Sequence, residues 1–192
     1  YDNDGVTQLA GGSYTNGTLT FVTDGLAAGT YYLKVYSYYD SQFEPYSIKV
    51  TQTIPPVTND VEPNDKKSQA KTINPNDSIT GHVGYYYNHK RDTFDYRKIT
   101  LAKDGRLDWT INSQNGDWIY AELYDNNATT YLGGGYTSTI LTFSKDGLAA
   151  GTYYLKIFSY YEWHFNPYYL KTKFYPTTSD PEPNGTYATA SA

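Results

Sequence analysis

The sequence predicts an all-β protein, an antiparallel β-sandwich repeated in tandem, on three observations. Of 192 residues, 24 are Tyr, and aromatic residues are enriched in strands. Short stretches of alternating apolar and polar residues are separated by turn-forming residues, a spacing typical of a β-sandwich. One segment also occurs twice, because residues 25–39 read GLAAGTYYLKVYSYY and residues 147–161 read GLAAGTYYLKIFSYY.

The repeated segment divides the chain. Its two copies begin 122 residues apart, beyond the roughly 20–50 residues of solenoid repeats, so a whole domain is duplicated. Residues 1–57 match the end of the repeat, residues 58–178 contain one complete repeat, and residues 179–192 return to its beginning. We therefore expect the C-terminal half of one sandwich, a complete sandwich and the start of a third repeat, within a piece of a longer chain.

The complete repeat is predicted to form short strands joined by turns, with one or two helical turns at 65–71. Strands are expected at 92–101, 106–112, 118–124, 139–143, 151–161 and 168–175, and turns at 103–105, 115–117, 133–135 and 145–147. Period-2 alternation groups residues on one strand face. The groups are Phe94, Tyr96, Ile99 and Leu101 (with one bulge), then Leu107, Trp109 and Ile111, then Trp118, Tyr120 and Leu123.

The second copy of the repeated segment has two distinct faces. Its apolar side chains belong to the core face, and the opposite face carries aromatic rings around a lysine and is expected to be partly wet. The core face is Tyr153, Leu155 and Ile157, and the opposite face is Tyr154, Lys156, Phe158 and Tyr160.

Composition and motifs exclude several classes of protein. The net charge is −5, which argues against a nucleic-acid partner. The chain has no Cys, which excludes a disulfide scaffold and a thiol nucleophile. No apolar run approaches the roughly 20 residues of a membrane span. No G-x-S-x-G, H-E-x-x-H or Walker pattern occurs, and we expect no catalytic activity.

Two groups of oxygen-bearing side chains precede the repeated segment. Calcium takes about 6–8 oxygen ligands, carboxylates and amide carbonyls among them, and carboxylates gathered together need a cation or water. A calcium site is one interpretation. The other is a linker turn with a helix cap, followed by a solvated strand residue. The first group is Asp60, Glu62, Asn64 and Asp65, and the second is Asp92 and Asp95.

The order of motifs resembles the bacterial pre-peptidase C-terminal domain, a family that includes the collagen-binding modules of clostridial collagenases. The resemblance covers the whole repeat. The motifs are Glu62-Pro63-Asn64-Asp65, Gly81-His82-Val83-Gly84, Asp92-Thr93-Phe94-Asp95-Tyr96 and Ala149-Ala150-Gly151-Thr152-Tyr153-Tyr154-Leu155. The Tyr-rich tandem arrangement also resembles large surface proteins of the Bacteroidota.

This resemblance implies a secreted, non-catalytic module with a jelly-roll-like sandwich. In calcium-binding members the acidic segment and the D-x-x-D pair share the ion, which implies Asp60, Glu62, Asn64, Asp65, Asp92 and Asp95 as ligands here. Two departures are visible: Gly185 stands in the third repeat where Asp65 stands in the second, and the loop 85–91 is long and aromatic.

The sequence favours a structural repeat of a secreted or cell-surface adhesin, stalk or fibre, stiffened by calcium. The alternative is a carbohydrate- or protein-binding (collagen-binding-like) accessory module of a secreted enzyme, since exposed aromatic rings suit such ligands. Its partners would be a polysaccharide or an extracellular protein, and its candidate residues are Tyr154, Phe158, Tyr160 and Trp163.

Residues 1–57 raise a separate question, because a half-sandwich exposes sheet edges unless something covers them. We expect neighbouring repeats or protomers to pack against them by strands or by faces. The missing half lies upstream, or another molecule supplies strands by exchange.

Overall fold

The computed structural model describes residues 1–87, 89–162 and 164–177, and residues 71–176 build a two-sheet β-sandwich. A single 3-10 turn, Lys67–Gln69, precedes the strands within the predicted helical stretch. The strands in chain order are β1 (Lys71–Thr72), β2 (Ser78–Val83), β3 (Tyr86–Tyr87), β4 (Lys90–Arg91), β5 (Asp95–Leu101), β6 (Gly105–Ser113), β7 (Ile119–Tyr124), β8 (Tyr131–Thr137), β9 (Ile140–Leu148), β10 (Gly151–Ser159) and β11 (Asn166–Pro176).

The two sheets confirm the all-β sandwich. One has the strand order β1-β5-β10-β7-β8, the other has the order β2-β11-β6-β9, and β3 pairs with β4 as a separate hairpin. All of these pairs are antiparallel except β1 with β5. The repeated segment forms β10, which lies at the centre of its sheet between β5 and β7. Among the described residues, no helix is long and apolar enough to cross a membrane.

The core lies between the sheets and follows the predicted period of 2 in β6 and β10. The predicted inward residues of both strands are buried, whereas the opposite face of β10 is half-buried. Burying one such side chain contributes about 1.5–3 kcal/mol. The buried residues of these strands include Leu107, Trp109, Ile111, Tyr153, Leu155 and Ile157.

Strand β5 differs from its predicted pattern. Asp95 and Arg97 point inward together with Ile99 and Leu101, and the register with β10 is continuous along the whole strand, without the expected bulge. Tyr96, which was predicted to share a face with Ile99 and Leu101, instead lies on the outer face, half-buried. Buried charged groups are tolerated where they have partners, and the inward pair of β5 has them, as described below.

In strand β7 the aromatic residues likewise do not share a face with Leu123, as had been predicted, but lie on the outer face. Ile119, Ala121 and Leu123 are buried, whereas Tyr120 faces outward and Trp118, just before the strand, is exposed. The rings prefer the outer face because they stack there on residues of the neighbouring strands β8 and β10.

Two predicted turns are strand residues. The glycines at 133–135 lie within β8, because the strand runs close to its neighbour: a Cβ on Gly134 would lie 2.4 Å from the carbonyl oxygen of Ala121. Glycine inside a strand often marks such a close approach of another backbone. Residues 145–147 lie within β9, which continues to the buried Leu148 opposite Gly105.

The first copy of the repeated segment adopts a different state from the second. Residues 1–57 contain no strand, and a single bridge joins Leu26 to Tyr86. Leu33 is 66 % exposed, whereas its counterpart Leu155 is 0 % exposed. The same sequence therefore becomes a strand only where partner strands lie on both sides, as expected when packing decides strand formation.

The opening residues of this segment, which lead into the turn before the strand, have the same conformation in both copies. Gly25 and Gly147 have φ values of 67° and 68°, in the left-handed region that glycine adopts without strain. The Tyr31 hydroxyl donates to the carbonyl oxygen of Ala27 at 2.7 Å. The equivalent bond in the sandwich, from Tyr153 to Ala149, measures 2.9 Å. Local sequence specifies the turn, and tertiary contacts specify the strand.

Candidate metal centre

The acidic segment 60–65 crosses the end of the sandwich where β5 begins. The Tyr96 amide donates to the Asn64 carbonyl oxygen at 2.9 Å, which fixes the segment on β5. The Asn64 amide donates to Glu62 Oε2 at 3.0 Å, and its side-chain Nδ2 donates to Asp60 Oδ2 at 2.7 Å. Asn64 therefore sets the positions of both acidic side chains from a fully buried position.

The second acidic group is held at the open end of the β3–β4 hairpin and at the start of β5. The Asp92 amide donates to the Tyr85 carbonyl oxygen, and the Gly84 amide donates to the Asp92 carbonyl oxygen, both at 2.8 Å. Asp95 is the first residue of β5. Both aspartates are buried, so their carboxyl groups face the segment 60–65 rather than bulk water.

The structure brings the two predicted groups together. Ligand oxygens of Asp60, Glu62 and Asp95 all lie within 4.8 Å of one another. The carboxyl of Asp92 interacts electrostatically with Glu62 and Asp65. Asp65 lies further out, with its Oδ2 at 3.2 Å from Lys90 Nζ. This arrangement is an acidic cluster that could bind a metal ion.

Several oxygens of the cluster are buried without a hydrogen-bond partner among the described residues. A buried polar atom left unpaired costs about 1–3 kcal/mol, and a hard cation such as calcium takes about 6–8 oxygens. The donor set therefore fits calcium. The unpaired atoms are Asp60 Oδ1, Glu62 Oε1, Asn64 Oδ1, Asp92 Oδ1 and Oδ2, and Asp95 Oδ1.

Burial raises the pKa values of three of these acids. Burial, together with the charges of Glu62 and Asp65, raises the pKa of Asp92 to about 9. Burial likewise raises the pKa of Glu62 to about 7 and shifts the pKa of Asp95 well above its usual range, with Asp92 as the next cause. Without a cation, these groups hold protons near neutral pH, so a bound cation would displace protons.

Sequence reasoning missed two residues of the site, Arg97 and Tyr168. The Arg97 guanidinium is buried, forms an ion pair with Asp60, and lies 3.6 Å from Asp95. It donates to the Tyr168 hydroxyl at 2.9 Å, which in turn donates to Asp95 Oδ2. The period of 2 in the sequence could have revealed Arg97, because Arg97 follows Asp95 on the same strand face as Ile99.

These contacts neutralise one side of the cluster and leave the other side acidic. Arg97 covers Asp60 and Asp95, and Lys90 covers Asp65. Asp92 has no ion-pair partner among the described residues, and both of its carboxyl oxygens are buried and unpaired. Asp92 and Glu62 are thus the two carboxyl groups of the cluster that form no ion pair with a described residue.

A second acidic group near the first residues contrasts with this cluster. Asp2, Asp4 and His89 also have ligand atoms within 4.8 Å. Asp4, however, accepts hydrogen bonds from Val6 and Thr7, and those to Thr7 hold its pKa at about 2. Hydrogen bonds from residues of its own turn already stabilise the charge of this carboxylate, so it needs no bound cation.

The outer face of the five-stranded sheet carries a continuous group of rings, here called the aromatic face. Tyr120 stacks on Phe158 with ring centroids 4.6 Å apart and on Tyr160 at 5.7 Å. Tyr136 adjoins both Tyr120 and Trp118, at 5.0 and 5.4 Å. The aromatic face is Trp118, Tyr120, Tyr136, Phe158 and Tyr160.

The predicted ligand residues divide between this face and other places. Phe158 and Tyr160 belong to the aromatic face, whereas Tyr154 contacts Lys67, whose Nζ lies 5.1 Å from its ring. Trp163 lies outside the described residues. Trp118 and Tyr120 were missed as face residues because their pattern had grouped them with the inward Leu123.

Fold and site together define a two-sheet β-sandwich with an acidic cluster at one end. No protein-family model matches the sequence, and no curated protein does. The structure is similar to the pre-peptidase C-terminal domain of a collagenase from Bacillus anthracis, with a TM-score of 0.44 and 19% identity over 59% of this chain and 100% of that one.

Two further solved structures show a weaker likeness. One is PliG from Aeromonas hydrophila, a periplasmic inhibitor of g-type lysozyme, with a TM-score of 0.35 and 13% identity over 55% of this chain and 97% of that one. The other is a mitogen derived from Yersinia pseudotuberculosis, with a TM-score of 0.36 and 14% identity over 56% of this chain and 90% of that one.

Proposed function

We propose that this chain is a non-catalytic, extracellular tandem module, a structural repeat of a secreted or cell-surface adhesin, stalk or fibre, stiffened by calcium. The observation that carries the proposal is the set of six buried, unpaired oxygens at the end of the sandwich. The duplicated sequence supports the tandem arrangement, and the resemblance to pre-peptidase C-terminal domains supports the jelly-roll-like fold and the secretion.

The stiffening follows from where the ligands lie in the chain. Asp60 and Glu62 belong to the segment that leads into the sandwich, Asp92 closes the β3–β4 hairpin, and Asp95 opens β5. A calcium ion bound among them supplies positive charge that holds these three pieces together. The segment 58–65 would then be fixed to the domain that follows it, and a string of such repeats would resist bending at each junction.

Calcium binding is expected to release protons and to strengthen with pH. Asp92 has a pKa of about 9 and must lose its proton to act as a ligand, so affinity should rise up to tenfold per pH unit for each proton released. Between pH 7 and 9 the expected slope is at least one such proton, because Asp95, whose pKa is also raised well above its usual range, must be deprotonated as well. Calorimetric titrations at several pH values, each in two buffers of different ionisation enthalpy, measure both quantities.

The same shift has a consequence for the metal-free protein. A raised carboxyl pKa stabilises the folded state below the ordinary pKa, and that stability is lost as the pH rises towards the folded value. The metal-free protein should therefore lose stability up to about pH 9, the pKa of Asp92.

For the calcium titrations, an affinity that does not change between pH 6 and 9 would contradict the site.

The aromatic face favours a second candidate function, binding of a polysaccharide or an extracellular protein such as collagen. Tyr136 and Tyr160 are about half exposed, and rings of this kind provide large contact areas for such ligands. Tyr120→Ala/Tyr160→Ala should weaken retention about 30-fold, from a typical hot-spot loss of about 2 kcal/mol. The measurement is co-sedimentation with insoluble polysaccharides and with fibrillar collagen.

Tyr175→Ala is the matched control for this experiment. Tyr175 is 40 % exposed but lies on β11, in the other sheet, so its removal should leave retention unchanged. Equal loss in both variants, or no retention of the unaltered protein, would count against a binding role for the aromatic face.

A further inference from the structure

Residues 1–57 repeat the strands of the complete sandwich without forming them. Residues 18–26, 29–37 and 44–54 correspond to β9, β10 and β11, by the same offset of 122 residues as the repeated segment. Their apolar side chains are nevertheless exposed. Tyr46 is 68 % exposed, whereas its counterpart Tyr168 is 0 % exposed.

The second copy shows what covers these side chains when they are folded. Strand β10 is hydrogen-bonded on one side to β5 and on the other to β7. Strand β11 is bonded to β2 and to β6, and β9 to β6. All of these partner strands belong to residues 58–124, here called the front half of the repeat. A front half is therefore the surface that matches residues 1–57.

Residues 1–57 are held to the rest of the chain in a way that leaves their strand segments free. The Tyr86 amide bonds the carbonyl oxygen of Gly25, and the Ala27 amide bonds that of Tyr86. Tyr32 exchanges two backbone hydrogen bonds with Tyr1, but residues 29–37 pair with no strand of the described part of the chain. Leu33 and Val35 are both exposed, although their counterparts in β10 contribute to the core.

We propose that residues 1–57 are a strand-complementing segment that docks into the front half of a second copy of this chain. Residues 29–37 would take the place of β10 between β5 and β7, and residues 44–54 that of β11 between β2 and β6. Leu33 would fill the site of Leu155, and Tyr46 would reach Asp95 and Arg97 as Tyr168 does. Docking requires a front half from which the attached residues 125–176 have been displaced, because those residues compete at high effective concentration.

The test uses a chain whose front half is intact but vacant. Leu33→Asp/Leu155→Asp places a charge at the central core position of both candidate back halves. This variant, refolded from denaturant at equimolar ratio with the unaltered chain, should form a 1:1 complex, measured by size-exclusion chromatography with light scattering. The unaltered chain supplies residues 1–57, and the variant supplies the front half.

The matched control replaces the unaltered chain with Leu33→Asp. This partner keeps an intact 125–176 segment and lacks only a functional 1–57 segment, so no complex should form. A complex of equal yield with Leu33→Asp would overturn the proposal, because exchange of 125–176 would then explain it. Absence of a complex with the unaltered chain would overturn it as well.

A cysteine pair tests the register and does not depend on a long-lived complex. The chain has no Cys, and Tyr120 is the partner of Phe158 across β7 and β10, at the Cα separation of about 4.5–5.5 Å that a disulfide can span. Tyr36→Cys in the otherwise unaltered chain should cross-link to Tyr120→Cys in the double Asp variant. Tyr124→Cys, four residues along β7, should give at most one tenth of that yield, and equal yields would refute the proposed docking.

Discussion

Calcium at about one hundred times its dissociation constant should raise the melting temperature of this protein by about 10 °C. Binding to the folded state alone contributes about 2.7 kcal/mol at that concentration. For a domain of this size, 1 kcal/mol corresponds to a shift of roughly 4 °C. Differential scanning calorimetry of the full chain, after chelation and after addition of calcium at pH 7.5, measures the shift.

Substitution of Asp92 by Asn should abolish this shift and leave the metal-free protein almost unchanged. The pKa of about 9 means that Asp92 carries a proton in the metal-free protein at neutral pH, and a neutral amide of similar shape replaces it. The metal-free melting temperature should move by less than about 2 °C, since comparable neutral substitutions cost roughly 0.5 kcal/mol. A normal calcium shift in Asp92→Asn would contradict the assignment of this ligand.

The control for that experiment is Asp146→Asn. Asp146 is exposed on β9, so its substitution also replaces one carboxyl group by an amide, without touching the cluster. The calcium shift should remain about 10 °C, as derived above for binding to the folded state. Loss of the shift in this variant would indicate that calcium acts through the overall charge of the protein.

The second large effect is a difference in the free energy of unfolding when the same substitution is made at equivalent positions of the two copies. Leu155→Ala should reduce the free energy of unfolding by about 2–5 kcal/mol, because it opens a cavity in a closed core. Leu33→Ala, at the equivalent position of the first copy, should change it by less than about 0.5 kcal/mol, because Leu33 has no core to leave. Urea unfolding followed by tryptophan fluorescence measures both, and equal losses would contradict the described state of residues 1–57.

The sequence predicted the core face correctly for those strands in which apolar inward residues alternate with more polar outward residues. In β6 and β10 every inward residue is apolar or Tyr, except Ser113 and Ser159 at the strand ends, so the period alone identifies the core face. In β5 the inward residues begin with Asp95 and Arg97, whose partners Asp60 and Tyr168 lie 35 and 73 residues from Asp95 in sequence. A local pattern contains no information about such distant partners, and Tyr96 was therefore wrongly predicted to share the face of Ile99 and Leu101.

The candidate site shows the same division between local and distant information. The acidic residues could be named from sequence because their oxygens are the ligands that calcium prefers. The orienting role of Asn64, which bonds Asp60 through its side chain, depends on the path of the backbone. The counter-charge from Arg97 depends on how the sheets pack, and neither feature has a sequence motif.

The turn shared by Gly25–Tyr31 and Gly147–Tyr153 has a consequence for how the chain folds. Its Tyr–Ala hydrogen bond spans four residues and forms with or without a completed sandwich, so it can form early in folding, before distant strands meet. Such a turn sets the register of the strand that follows, but it is the same in both copies and cannot specify which copy joins a given front half. In a growing polypeptide, near-identical repeats are prone to that error, and the order of synthesis, which brings one pair of halves together first, would keep neighbours correctly matched.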